Sequence, residues 1–232
     1  MASVVDSIRS VYQDNYSLLK LGIFSYVIYL TYSLIIPSQP GNPMNLLFIV
    51  IIIYLYLGFC TIIMNNRINQ RIETLPLIDP IKFVTTATKA TILFLPFSVI
   101  GFFVVSLVVG LFNFEGLPQL IAIWLIRYFI FSFAITALIN FAEKFDIKDG
   151  LHPSKILSGV ADVLVYTLLC SIILTILSIF IVFPTLYLVY NFFKIGPLFY
   201  YICVFFTTLN LAIYADYWGQ LHFDIESKNN YY

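Results

Sequence analysis

Between Asn45 and Met64 the chain reads Asn-Leu-Leu-Phe-Ile-Val-Ile-Ile-Ile-Tyr-Leu-Tyr-Leu-Gly-Phe-Cys-Thr-Ile-Ile-Met, without one charged side chain. At a rise of 1.5 Å per residue, a helix of that length covers about 30 Å, the thickness of a bilayer's hydrocarbon core. The run is apolar all round and lacks the period-two alternation of a barrel strand, which leaves a helix bonded within itself as the spanning element. Five further runs of the same kind place spans at 18–36, 90–109, 123–141, 163–183 and 197–215, beside the one at 45–64. The composition agrees: the 232 residues are 61% hydrophobic, 18% aromatic and 10% charged, with a mean hydropathy of +0.95. A water-soluble globular domain, where about 25% of residues are charged, is excluded. The expected fold is an all-α integral membrane protein with six transmembrane helices in a single polytopic domain over 1–232.

Charge sets the orientation. Arg9, Lys20, Arg67, Arg71, Lys82, Lys89, Lys144, Lys148, Lys155 and Lys228 fall on one side of these spans, and only Lys194 and Arg127 on the other. By the positive-inside rule both termini are cytoplasmic, as the even number of spans requires. The first run ends at Ile36-Pro37 without a small-residue cleavage pattern, so it is expected to stay as an anchor. Twelve basic and twelve acidic residues cancel, leaving neither a basic face for nucleic acid nor an acidic tail.

The connections differ in character. Pro37 to Met44 is an uncharged turn of helix breakers, whereas 65–89 and 143–162 are longer and charged. Ser3 to Tyr16, Pro80 to Lys89 and Pro153 to Asp162 have mixed polarity and read as short amphipathic helices at the cytoplasmic interface, two of them with proline in the first turn. A period of 73 residues aligns Pro80 with Pro153, Lys82 with Lys155, Ser98 with Ser171, Tyr128 with Tyr201 and Ala142 with Ala215. That period suggests three repeated units, each an interfacial helix followed by a hairpin of two spans.

Residues able to carry chemistry are few. Arg127 interrupts an apolar run, where a cation is costly and marks a candidate site. It lies sixteen residues before Glu143, about 24 Å along a helix and near the outer limit of the core. A snorkelling anchor, an ion pair and a contact to substrate are the three readings. Thr167, Ser171, Thr175 and Ser178 form a hydroxyl stripe on the fifth span, and Asn210, with Thr207 and Thr208, lies on the sixth. Such a stripe is a packing seam or the lining of a pathway; discontinuous helices near Pro96 and Pro184 would favour the pathway. Glu143, Asp162 and Asp216 end spans on the cytoplasmic side, where headgroups and water account for them. Cys60, Cys170 and Cys203 are isolated within apolar runs, and His152 and His222 are seventy residues apart, so no metal ligand set is formed. No nucleophile elbow, phosphate-binding loop or dinucleotide motif occurs, so no catalytic residue and no cofactor are assigned. Trp124, Tyr217 and Trp218 read as interfacial aromatics.

Leu75-Pro76-Leu77-Ile78-Asp79 before the third span and Ala215-Asp216-Tyr217-Trp218-Gly219-Gln220 after the sixth carry a resemblance. Together with the six-span layout they resemble a family of bacterial and archaeal multi-pass membrane proteins known as a domain of unknown function. The chain is more distantly similar to the membrane domains that accompany glycerophosphodiesterases. The resemblance covers about Leu18 to Gln220 and implies a prokaryotic plasma-membrane location, with no activity attached. The expected function is that of a non-catalytic scaffold or partner-binding subunit, its partners the lipid bilayer and other membrane proteins or further copies of itself. The alternatives are a transporter or channel-like subunit with its pathway between spans five and six, and an enzyme acting on lipid headgroups through Glu143, Asp216 and His222.

Overall fold

The computed structural model describes residues 2–34, 43–71, 73–76, 79–112, 116–193 and 196–229, and among these every regular element is helical. Helix α1 (Val4–Gln13) starts at Ser3, whose hydroxyl accepts from the Asp6 amide at 3.3 Å, satisfying one of the first turn's free donors. It buries Val4, Ser7 and Val11 along one face and exposes Val5 and Asp6, the spacing of an amphipathic helix. The chain turns through Tyr16, in the left-handed region at φ 60°, into α2 (Ser17–Ser33).

Among the described residues five helices are long and apolar enough to cross a membrane, with spans over Asn45–Ile68, Pro80–Leu111, Leu117–Lys144, Pro153–Asn191 and Gly196–Ile225. They belong to α3 (Pro43–Ile68), α4 (Pro80–Phe112), α5 (Leu117–Lys144), α7 (Pro153–Leu177) with its continuation, and α9 (Gly196–Asn229). The chain is accordingly a membrane-embedded, multi-pass helical protein. Of the span expected at 18–36, residues 18–34 are described, all but the last within α2; the turn from Pro37 lies largely outside the described residues.

The segments at Pro80–Lys89 and Pro153–Asp162 are not separate interfacial helices but the first turns of α4 and α7. The cause is local. Asp79 Oδ1 accepts the amides of Ile81 and Lys82, both at 3.1 Å, and Pro80 occupies the first turn, after which nothing breaks the helix until the apolar run begins. Of the three interfacial helices only α1 stands alone. Between α5 and α7, a four-residue helix α6 (Ile147–Gly150) begins at Asp146, and Lys155 bonds Asp149 at 3.1 Å, holding that carboxyl below its usual range.

Pro96 lies inside an uninterrupted α4. Pro184 lies in α8 (Phe183–Leu188), between the π-helical turns Ser178–Val182 and Val189–Phe193, so that α7 runs on as one rod. A π turn widens the helix and takes up the hydrogen bond that proline cannot donate; here the Phe183 amide reaches back to Ser178 O.

Helices α3, α5 and α9 touch one another, and each outer helix bridges two of them: α2 rests on α9 and α3, α4 on α3 and α5, and α7 on α5 and α9. Packing is one-sided along the axis. Among the described residues, α3 has no buried residue before Gly58, α5 none before Ser132, α9 none before Thr208, and α4 none beyond Leu93. Close approach uses glycine: a Cβ on Gly58 would stand 2.6 Å from that of Ala87, which brings α3 and α4 together. The other halves expose apolar side chains, such as Phe102 at 70% and Phe180 at 74%, as lipid-facing helices do.

Candidate functional site

The packed end of the bundle holds a buried polar network. Its centre is Asp216, whose side chain is 0% exposed. Twenty residues separate it from Gly196 at the other end of α9, about 30 Å along the helix, a length equal to the thickness of a hydrocarbon core. Helix α1 packs against this stretch of α9 and withdraws it from water. Asp216 Oδ1 accepts from the Ser10 hydroxyl at 3.2 Å and lies 3.7 Å from Arg67 Nε; Oδ2 accepts from Gln220 Nε2 at 3.0 Å. The same Gln220 amide donates to the Ser7 hydroxyl at 2.7 Å, and its oxygen accepts the Ser3 amide at 2.9 Å. Ser10 also meets the Thr74 hydroxyl at 2.6 Å.

A second group adjoins it. Asp14 receives Lys20 Nζ at 2.7 Å on one oxygen and the Leu75 amide at 2.7 Å on the other, while Lys20 reaches Glu73 at 2.9 Å. Asn65 donates to Ala142 O at 2.6 Å, tying the end of α3 to that of α5. The buried carboxylates Asp14 and Asp216 are tolerable because each accepts hydrogen bonds and faces a cation. Two cavities open beside the network: one of about 490 Å³ bordered by Asp6, Arg67 and Asp224, and one of about 590 Å³ bordered by Asn66, Arg71, Glu73, Asp79 and Lys82.

The sequence-derived candidates are dispersed. Thr167 is buried and accepts from Trp218 Nε1 at 3.0 Å; Ser171 accepts from the Tyr214 hydroxyl at 2.9 Å, so both join α7 to α9. Thr175 is exposed, while Ser178 and Asn210 are half-buried. Trp218 and Tyr217, expected at the interface, are core residues at 4% and 2% exposure, because their face of α9 turns inward. Glu143 pairs with its neighbour Lys144 at 2.9 Å, whereas Asp216 is held by α1 and α3. Among the described residues no group of three metal-ligating side chains occurs.

Arg127 is exposed beside a cavity of about 280 Å³ between α4 and α5, bordered by Ser98, Ser106 and Phe131. No carboxylate among the described residues pairs with it; Glu115 and Lys194 lie outside those residues. Replacing it by leucine is therefore expected to change the yield of folded, membrane-inserted protein by less than about twofold, since no buried partner is stranded. Fluorescence-detected size exclusion reads that outcome, and a collapse of the monodisperse peak would mean a buried ionic partner.

What sequence reasoning missed is the environment of Asp216 and the role of α1 as its cover. The signal was present in Ser3, Ser7 and Ser10, spaced three and four apart on one face of α1, and in the Asp216, Gln220 pair one turn apart on α9. Comparison with protein-family models, with curated proteins and with solved structures finds no match to this chain.

Proposed function

We propose that the chain is a non-catalytic scaffold of a prokaryotic plasma membrane, crossing it six times with both termini cytoplasmic and binding a membrane-embedded partner. The observation that carries this reading is the cavity of about 780 Å³ between α4, α5 and α7, bordered by apolar side chains including Phe97, Trp124, Phe129, Phe133 and Leu168. Its polar handle, the Tyr128 hydroxyl, donates to Leu164 O at 2.7 Å. Such a groove suits an apolar helix, which associates in lipid through shape and close packing.

The sixth crossing is α2, about 25 Å long at 17 residues, at the short end of what spans a bilayer. Three hairpin units are supported by the equivalent places of Pro80 and Pro153 in the first turns of α4 and α7. A phenol on the second helix of each unit supports them further: Tyr54, Tyr128 and Tyr201 donate to Val84 O, Leu164 O and Gly22 O, each on the first helix of another unit.

A photo-crosslinking residue at Phe129 or Leu168, with Leu47 on another face as control, tests the reading in native membranes. A discrete protein adduct from the groove alone is the expected result; lipid adducts alone would sink it. Thr167→Val separates a seam from a pathway. It should lower stability by about 1 kcal/mol, because the Trp218 indole loses its acceptor, and leave ion flux into proteoliposomes unchanged. The reverse pattern would move the assignment to a transporter.

A further inference from the structure

The cavity of about 590 Å³ at the packed end is bordered by two carboxylates and two cations that do not pair with one another among the described residues. Glu73 and Asp79 border it, but both are committed: Glu73 holds Lys20 at 2.9 Å, and Asp79 caps α4 through the amides of Ile81 and Lys82. Arg71 and Lys82 border the same cavity, and among the described residues neither has a carboxylate within 4.0 Å. Lys82 Nζ instead stands 5.8 Å over the Phe145 ring. Two cations at the membrane interface are thus open to an anion. Asn66, which also borders the cavity, is 5% exposed; its Nδ2 donates to Thr74 O at 3.2 Å, while its Oδ1 is buried without a hydrogen-bond partner among the described residues. A buried amide oxygen of that kind calls for a donor.

Directly beside this cavity lies an apolar crevice of about 260 Å³ between α2, α3 and α4, bordered by Ile23, Phe24, Val27, Phe59, Pro80 and Val84. The two adjoin through their lining: Asp79 borders one and Pro80 the other, and the Glu73–Lys20 pair joins a residue of each. Ile23, Val27 and Val84 are 45%, 43% and 52% exposed, so the crevice opens sideways to the acyl chains.

We infer that this pair of cavities is a binding site for one glycerophospholipid of the adjoining leaflet. The phosphate lies between Arg71 and Lys82, a headgroup ammonium or hydroxyl donates to Asn66 Oδ1, and an acyl chain fills the crevice along α2. The inference rests on the bundle's placement in the bilayer but not on the partner groove, which lies between α4, α5 and α7.

The test uses the full chain, purified, stripped of lipid and titrated under native mass spectrometry. The probes are phosphatidylethanolamine, phosphatidylglycerol and phosphatidylcholine with identical chains, and soluble glycerophosphoethanolamine. The first two should bind one to one, about tenfold more tightly than phosphatidylcholine, which lacks a donor. Arg71→Gln with Lys82→Gln should weaken them by about tenfold or more, the loss of charge-assisted contacts. Lys148→Gln, which removes one positive charge at an exposed position of α6, should not, and is matched to Arg71→Gln alone. Val27→Trp, which fills the crevice, should weaken lipid binding and spare the soluble headgroup. If the double variant proves unfolded by size exclusion, Arg71→Gln alone carries the comparison. Equal retention of all three lipids by wild type and charge variants would overturn the site. Equally tight binding of glycerophosphoethanolamine would overturn its assignment to a lipid. Neither result bears on crosslinking at Phe129, so the two proposals fail separately.

Discussion

Asp216→Ala is expected to destabilise the protein by about 3 kcal/mol, the scale of removing one partner from a buried, hydrogen-bonded charge. The side chain is wholly enclosed, so nothing replaces it: Ser10 and Gln220 each lose an acceptor, and Gln220 is the residue that also fixes Ser7 and the Ser3 amide. The effect therefore spreads to α1, which should detach from α9. Arg67 adds little to the loss, because its 3.7 Å contact is made by a side chain 34% exposed and water screens it. Asp216→Asn is a discriminating control: the amide can still accept from Gln220 and donate to the Ser10 oxygen, so a loss of about 1 kcal/mol is expected. Thermal retention of the monodisperse peak in detergent measures both variants. An alanine variant as stable as the parent would show that α1 is not held by this network.

Gly219→Leu is the second large effect, expected at about 3 kcal/mol or more. A Cβ at this position would stand 2.8 Å from Arg67 Cβ, 3.0 Å from Arg67 Cγ and 3.1 Å from Met64 O. The last is backbone of α3, which no side-chain rotation can remove. The helices must part, and they part where Ile63, Met64, Leu221 and Ile213 form the core. The folded yield should fall steeply, with Gly219→Ala intermediate. Gly110→Ala is the matched control, since nothing lies within 4 Å of a Cβ there; it should be neutral or stabilise by up to about 1 kcal/mol through helix propensity. Equal losses at Gly219 and Gly110 would contradict the close crossing.

The helical class and the membrane setting were legible in the apolar runs, because burial in lipid is written in composition. Helix ends were not. Charge returns after Ala215 and ends the sixth apolar run there, yet α9 continues to Asn229: hydropathy marks where a helix leaves lipid, and leaving lipid does not end a helix that α1 still covers. Asp216 was given to headgroups for the same reason. Its depth follows from counting residues, but its direction depends on which face of α9 meets α1 and α3, a tertiary fact. Thr167 and Ser171 were visible as a stripe. What they bond to, Trp218 and Tyr214, could not be read from one helix alone. In Asp79-Pro80 the local signal was sufficient, since a capping carboxylate followed by proline starts a helix whatever surrounds it.

One-sided packing gives the molecule two different mechanical walls. The half containing Phe59, Phe141 and Leu221 buries its side chains between helices, while the half containing Phe102 and Phe180 leaves large apolar side chains exposed. A bilayer that thickens or thins must be matched by helices that tilt or bend, and only the loose half has freedom to do so. Strain from the surrounding membrane should therefore be taken up in one leaflet, with the cavity between α4 and α5 as the compliant joint and the packed end left undisturbed.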